Sequence, residues 1–190
     1  MKILLIEQLK KSNRSSNHFL TRFLTTFSIL PTLYIRRLAA ITPKKHQVTV
    51  LNERYHQRKI TDEYDLVVIH YNTASSPVAY DIADQFRKKK VTVVLCGLHA
   101  SALPNEALKH ADAVLIGRGE CNWLDLLKDM EKKNIQKIYD PKSSDTENCF
   151  IPSTNVALPG FVLMRAIEAT RGCPYQCHFC PEGNTPNGNQ

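Results

Sequence analysis

The sequence predicts an α/β domain built on a doubly wound parallel sheet, and three observations carry that prediction. Short runs rich in Val, Ile and Leu alternate with amphipathic stretches over residues 1–139. The runs are nearly continuous in apolar residues, as parallel strands covered on both faces must be. No internal repeat or low-complexity tract breaks the rhythm. Composition agrees: of 190 residues, 43% are hydrophobic and 23% charged, with only 7 Gly and 10 Pro, which excludes collagen-like, disordered and coiled-coil chains. The length holds one full domain and a piece of a second.

Five strands are expected, at 2–6, 48–52, 66–70, 91–96 and 113–116. Between the first two, Pro31 suits a first helical turn, and Leu30, Tyr34, Leu38 and Ile41 then share one helix face. After the third strand, Ser76-Pro77 opens a helix in which Val78, Ile82 and Phe86 recur every four residues. The basic run 87–90 sits at its C-terminal end, where the helix dipole favours cations. A short helix is expected near 105–110. Past the fifth strand, Trp123, Leu126, Leu127 and Met130 line one face of a helix from about 120 to 132, and 135–139 can add an edge strand. The periodicity then stops. Pro141, Ser143, Ser144, Pro152, Ser153, Pro159 and Gly160 mark a linker over 140–161. A second unit opens with a strand at 162–170 and runs into an irregular loop, so 162–190 reads as the start of another domain.

Twenty-five Lys plus Arg against 18 Asp plus Glu leave a net charge of +7. The basic pairs are scattered and are not interleaved with aromatics, so they read as solvated helix faces and no nucleic-acid partner is expected. The first apolar run is closed by Glu7, too early for a secretory signal. Arg22, Pro31, Arg36 and Arg37 interrupt the apolar stretch 19–41, so no membrane span of about 20 apolar residues fits. A cytoplasmic chain is the expectation.

In a cytoplasmic chain six cysteines point to metal or catalysis before disulfides. Cys173, Cys177 and Cys180 are spaced C-x3-C-x2-C, which lets one loop direct three thiolates at one metal centre. Structural zinc and ordinary electron-transfer clusters want four closed ligands, whereas three thiolates leave one iron of a cubane open. His178 is a poor fourth ligand, because its immediate neighbours already constrain the loop. Cys96, Cys121 and Cys149 lie far apart and read as buried or incidental thiols. His70, at a strand end, reads as a satisfied core histidine.

The loop resembles that of the radical S-adenosylmethionine (radical SAM) enzymes, whose motif is CxxxCxΦC with an aromatic before the last cysteine, here Phe179. The approach Thr170-Arg171-Gly172-Cys173-Pro174-Tyr175 is similar to theirs. The resemblance implies a 4Fe-4S cluster on Cys173, Cys177 and Cys180, S-adenosylmethionine chelated by the open iron, and Phe179 packing near the adenine.

A doubly wound, flavodoxin- or Rossmann-like domain ahead of such a loop is similar to the cobalamin-binding domain of cobalamin-dependent radical enzymes. The matching stretches are Cys96-Gly97-Leu98-His99-Ala100-Ser101, Leu103-Pro104-x-Glu106-Ala107, Ala111-Asp112 and Gly117-x-Gly119-Glu120. In such sheets ligands sit outside the carboxyl ends of the strands. The resemblance therefore implies cobalamin contacts from Tyr71, Asn72 and Ser75, from Gly97, His99 and Ser101, and from Gly117, Gly119 and Glu120. Glycines there would allow close approach, and the serine hydroxyls could donate hydrogen bonds. The chain departs from the family at Cys96, where Gly is usual, at Arg118, where an acid is usual, and at Thr32-Leu33, where a glycine is usual. The D-x-H-x-x-G signature of other cobalamin domains is absent.

A phosphorelay receiver is excluded, because His70-Tyr71 and Gly117 stand where it needs an aspartate and a lysine. A nicotinamide domain is excluded because residues 7–16 hold no glycine. The expected function is the cofactor-binding part of a cobalamin-dependent radical SAM enzyme, in radical methylation of an unknown substrate. A substrate-enclosing barrel needs on the order of 200 residues. The chain alone is therefore expected to be inactive, with a second polypeptide as one way of completing the barrel. The alternative is a noncatalytic, cobalamin-type small-ligand module with a metal-binding or vestigial cysteine tail.

Overall fold

The computed structural model describes residues 1–8, 33–52, 61–117 and 119–140, together with 175, 177, 178 and 180. In chain order the elements are β1 (Lys2–Gln8), α1 (Leu33–Ile41), β2 (Gln47–Asn52), β3 (Leu66–Tyr71), a 3-10 turn (Thr73–Ser75), α2 (Ser76–Lys88), β4 (Thr92–Cys96), α3 (Leu98–Ala102), α4 (Pro104–Ala107), β5 (Ala113–Leu115), α5 (Glu120–Glu131) and β6 (Ile138–Tyr139).

The strands form one sheet in the order β2-β1-β3-β4-β5-β6, every pairing parallel. This is a Rossmann-like α/β architecture. The chain leaves β1 for one edge and leaves β3 for the other, so the order reverses between them, and ligand crevices of open α/β sheets form outside such a reversal.

The strands are apolar on both faces because both are covered. Leu4, Ile6, Val67, Ile69, Val93, Leu95 and Val114 meet Ala79, Ile82, Ala83 and Phe86 of α2, with Ala100 of α3 and Ala107 of α4. Ile3, Leu5, Leu66, Val68, Val94, Ala113 and Leu115 face the other way, against Ile35 and Leu38 of α1 and Trp123, Leu126 and Leu127 of α5. Each large side chain so buried stabilises the fold by roughly 1.5–3 kcal/mol. The one polar atom of the Trp123 ring is satisfied: its Nε1 donates to Thr42 Oγ1 at 2.9 Å, which donates to Leu38 O at 2.6 Å.

The sheet has six strands where five were expected, because β6 pairs with β5 through Val114↔Ile138 and Leu115↔Tyr139. Only Ile138 and Tyr139 of the expected 135–139 edge segment are strand. Of the expected apolar face of α2, Ile82 and Phe86 are fully buried, whereas Val78 is 45% exposed and Ala79 is buried in its place. The short helix expected near 105–110 is α4, which begins and ends earlier, at Pro104–Ala107, and α3 precedes it unannounced. The linker, the 162–170 strand, Cys149, Cys173 and Phe179 lie outside the described residues. Among the described residues no helix is long and apolar enough to cross a membrane.

Candidate functional site

Parallel strands aim successive side chains to opposite faces, and at the end of β3 this splits the chemistry of the carboxyl edge in two. Tyr71 falls on the α2 face and His70 on the α1/α5 face.

On the α2 face the polar atoms form a connected set. The Tyr71 hydroxyl donates to Tyr80 OH at 3.3 Å, and Tyr80 donates to Glu106 Oε1 at 2.9 Å. His99, 8% exposed, sits with Nε2 3.4 Å from Glu106 Oε1 and Nδ1 3.2 Å from Thr73 Oγ1. Hydrogen bonds from Tyr80 and His99 hold the Glu106 carboxyl below the usual carboxylate range. Burial, then the bond to Tyr80, pushes the Tyr71 phenol well up. Tyr80 also stacks on His110, ring centres 4.3 Å apart, and His110 meets Asp84 at 3.0 Å.

The loops over this face are braced by the hydroxyls that sequence had marked for a ligand. Ser75 Oγ donates to Gln8 O at 3.0 Å, tying the end of β1 to the turn after β3, across the point where the strand order reverses. Asn72 and Ser75 form a reciprocal capping box ahead of α2. Ser101 Oγ donates to Gly97 O at 2.9 Å and accepts from Gly117 N at 2.9 Å, so one side chain pins the loop after β4 to the loop after β5. Gly97 turns at φ 109 directly against the backbone of Tyr71, and a Cβ there would collide with the Tyr71 carbonyl. Gly117, at φ 65, makes the matching turn after β5.

On the α1/α5 face the Tyr34 ring stacks on His70, centres 4.6 Å apart and planes 24° from parallel. Cys96, fully buried, lies on the same face, its thiol pushed up to about 12 by burial and its Sγ 3.5 Å from Ile69 O. Arg37 of α1 and Glu120 of α5 close the rim as an ion pair at 3.4 Å, their side chains 11% and 3% exposed. The space a side chain at Gly119 would need is taken by the Tyr34 hydroxyl. His70 is not the satisfied core histidine expected from sequence. Its Nδ1 is sealed from solvent without a hydrogen-bond partner, while the Tyr34 hydroxyl is buried against the Cys96 thiol. Burial pushes the His70 imidazole down to about 4 and the Tyr34 phenol well up. Cys121 is likewise corrected: it is disulfide-bonded rather than a free incidental thiol.

Of the expected cluster ligands, Cys177 and Cys180 are described. Cys177 is exposed, Cys180 half-buried, and neither is in a disulfide. Cys180 N donates to Cys177 O at 3.0 Å, a tight turn that keeps the two residues on one short loop. Two accessible thiols on such a turn fit a metal or cluster. A ligand of the size of cobalamin does not fit the carboxyl edge in this conformation. The hydroxyls of Ser75 and Ser101 are engaged within the chain, and the spaces over Gly97 and Gly119 are filled by the backbone of Tyr71 and by Tyr34.

Sequence had singled out Tyr71, Asn72, Ser75, Gly97, His99, Ser101, Gly117, Gly119 and Glu120, and all nine do border the carboxyl edge. It had not connected them with Tyr34, Thr73, Tyr80 or Glu106 as partners. The alternation of His70 and Tyr71 was the one signal that two separate clusters exist.

No family model matches the chain, and no solved structure does. The chain is similar to bacteriochlorophyllide d C-8(2)-methyltransferase of Chlorobaculum tepidum, 36% identical over 160 residues, which cover 79% of this chain and 35% of that protein. It is also similar to bacteriochlorophyllide d C-12(1)-methyltransferase of the same organism, 29% identical over 157 residues, 75% of this chain and 33% of that protein. The chain spans about a third of the length of these curated relatives.

Proposed function

We propose that this chain is the cofactor-binding part of a radical SAM methyltransferase whose substrate is a tetrapyrrole of the bacteriochlorophyllide type. The observation that carries this reading is the 36% identity, sustained over 160 residues, to a methyltransferase named for such a substrate. The spacing of Cys173, Cys177 and Cys180 supports the radical SAM part of the reading, and the sequence pattern of 96–120 supports a domain of cobalamin-binding type.

In this reading Cys173, Cys177 and Cys180 hold a 4Fe-4S cluster. Such a cluster supplies the electron for reductive cleavage of S-adenosylmethionine. The chain's own task is placement. The turn between Cys177 and Cys180 sets the spacing of two thiolates, and Phe179 between them offers an apolar surface to the adenine. Ser75 and Ser101 fix the loops at the carboxyl edge of the sheet. Cobalamin belongs to this reading through the sequence pattern 96–120, and its admission requires the carboxyl edge to open.

The test is anaerobic reconstitution of the chain with iron and sulfide, read by metal analysis and the visible spectrum, beside Cys177→Ala. We expect about four irons per chain, as for a cubane cluster, and their loss in the variant. Zinc, or no metal, in the unaltered chain would overturn the radical SAM reading.

A further inference from the structure

In a doubly wound sheet the crossover helices run back against the strands, so helices end and strands begin at the same amino edge. Basic pairs that lie far apart in the sequence therefore meet there. At the start of β4, β5 and β6 the loops 87–91, 108–112 and 131–137 carry eight Lys and Arg against two Asp and Glu, while elsewhere the described residues hold six against eleven. Both acids are engaged. Asp112 pairs with Arg87 at 3.3 Å and accepts from Val93 N at 2.9 Å, and Glu131 takes Lys45 at 2.6 Å and His46 at 3.3 Å. Lys88 to Lys90, Lys109, Lys132, Lys133 and Lys137 are exposed, and among the described residues none of them has an ion-pair partner. Two of these lysines stand where the backbone favours glycine. Helices α2 and α5 both close in a Schellman turn, Val91 N donating to Phe86 O at 3.2 Å and Asn134 N to Asp129 O at 2.9 Å. The left-handed residue of each turn is Lys90, at φ 61, and Lys133, at φ 55. Glycine takes that conformation without penalty and lysine does not. The helix dipoles do not require a further cation at these positions, because Lys88, Lys89 and Lys132 already stand at the same two helix ends.

We infer that this half of the amino edge is a docking surface for an anionic lipid bilayer, held by charge at the level of the headgroups. The composition of the patch selects the occupant. Protein interfaces are enriched in Arg, Tyr and Trp and depleted in Lys, whereas the free cations here are all lysines and the one arginine, Arg87, is engaged by Asp112 and by Lys109 O. Lysine is a point charge on a flexible stem, suited to the diffuse negative field of a lipid surface rather than to one fixed carboxylate geometry. No Phe, Tyr or Trp stands in the three loops to stack a nucleic-acid base. None of the exposed large hydrophobic residues falls in them either, so the contact does not insert and is reversible. The lysines span both helix layers, Lys88 to Lys90 ending α2 on one face of the sheet and Lys132 and Lys133 ending α5 on the other. The domain therefore stands on its amino edge, with the carboxyl edge turned away from the lipid. This inference is independent of the cofactor reading above.

The experiment is co-sedimentation of the full chain with vesicles of phosphatidylcholine alone and of phosphatidylcholine with an equal part of phosphatidylglycerol, at low and at high salt. Binding is expected to the anionic vesicles only and is expected to be lost at high salt. Lys90→Gly combined with Lys133→Gly removes two charges and relieves both turns, so binding should weaken about tenfold or more while thermal stability holds or rises. Lys44→Gln combined with Lys128→Gln removes the same charge outside the patch and should leave binding nearly unchanged. Equal weakening in the two double variants would reduce the effect to net charge and overturn the surface. No binding to the anionic vesicles, or binding indifferent to salt, would overturn it as well. A preference for duplex DNA or for polyglutamate over the vesicles would overturn it in favour of a nucleic acid or an acidic protein. In each of these cases the radical SAM reading stands, because its own test is the iron content of the chain.

Discussion

Two polar clusters stand back to back at the carboxyl edge, separated by one strand's thickness and supplied by consecutive residues. Tyr71 enters a set in which Tyr80, Glu106, His99 and Thr73 each meet a partner. His70 enters a stack with Tyr34 in which its Nδ1 does not. A completed network holds one arrangement and resists change, whereas unmet buried groups lower the barrier to another. The α2 face is therefore the fixed frame of this edge and the α1/α5 face the part able to rearrange.

The largest expected effect comes from the residue that touches both clusters. Gly97 turns at φ 109, and a Cβ there would meet the Tyr71 carbonyl and lie 3.2 Å from His70 Cδ2. Neither the backbone nor a side chain in the left-handed region can yield cheaply. Gly97→Ala should lose about 3 kcal/mol or more of stability, from backbone strain plus the collision, measured by urea unfolding. A loss under about 1 kcal/mol would mean that the end of β3 moves freely, and the fixed-frame side of the comparison would fail.

The second effect separates the clusters by pH. Burial lowers the His70 pKa to about 4 in the fold, while an unfolded histidine titrates near 6.5. Between those values the unfolded chain takes up a proton that the folded chain refuses, so stability rises with pH through that window and falls on acidification. Going from pH 6.5 to 4 should cost up to about 3 kcal/mol. His70→Phe should flatten that part of the profile. An unchanged slope in the variant would show that His70 is not the group being held neutral.

Much of this frame was legible in the sequence. The strands announce themselves because both faces are covered and every position is apolar, so Leu66 to Ile69 could be read without a partner in view. The edge strand could not, since two residues, Ile138 and Tyr139, are too few to show a period. Val78 stood in for Ala79 because a small residue carries little hydrophobic signal although it packs completely. Helix α3 was hidden by Gly97, which reads as a turn and is in fact the cap of a five-residue helix. At the site, position after a strand identified Ser75 and Ser101, but their partners, Gln8 O, Gly97 O and Gly117 N, come from other loops. The stack of Tyr34 on His70 depends on where α1 lands, and no local pattern reports that.

The braces themselves give the third effect. Ser101 serves Gly97 and Gly117 with a single hydroxyl. Ser101→Ala leaves the Gly117 amide in a half-buried site without its acceptor, at a cost of about 1–2 kcal/mol. If the loop after β5 were held by α5 alone, thermal unfolding of the variant would match that of the unaltered chain. The loops after β4 and β5 would then be held independently of each other.

The smallest effect tests whether the satisfied cluster is a network or a set of neighbours. Glu106 lies at the surface, and its carboxyl is held below the usual range chiefly by the Tyr80 hydroxyl and next by His99. Tyr80→Phe removes that donor and keeps the ring on His110. The Glu106 carboxyl should then titrate closer to the ordinary carboxylate value, seen by carbon-detected NMR, with little change in stability because the group is solvated. The same variant takes the acceptor from a long, part-buried bond of the Tyr71 hydroxyl. If bonds pass along the chain from Tyr71 through Tyr80 to Glu106, the loss of one hydroxyl at position 80 disturbs both ends at once. A Glu106 titration unmoved by the loss of Tyr80 would reduce the network to separate contacts, and with it the contrast between the two faces of β3.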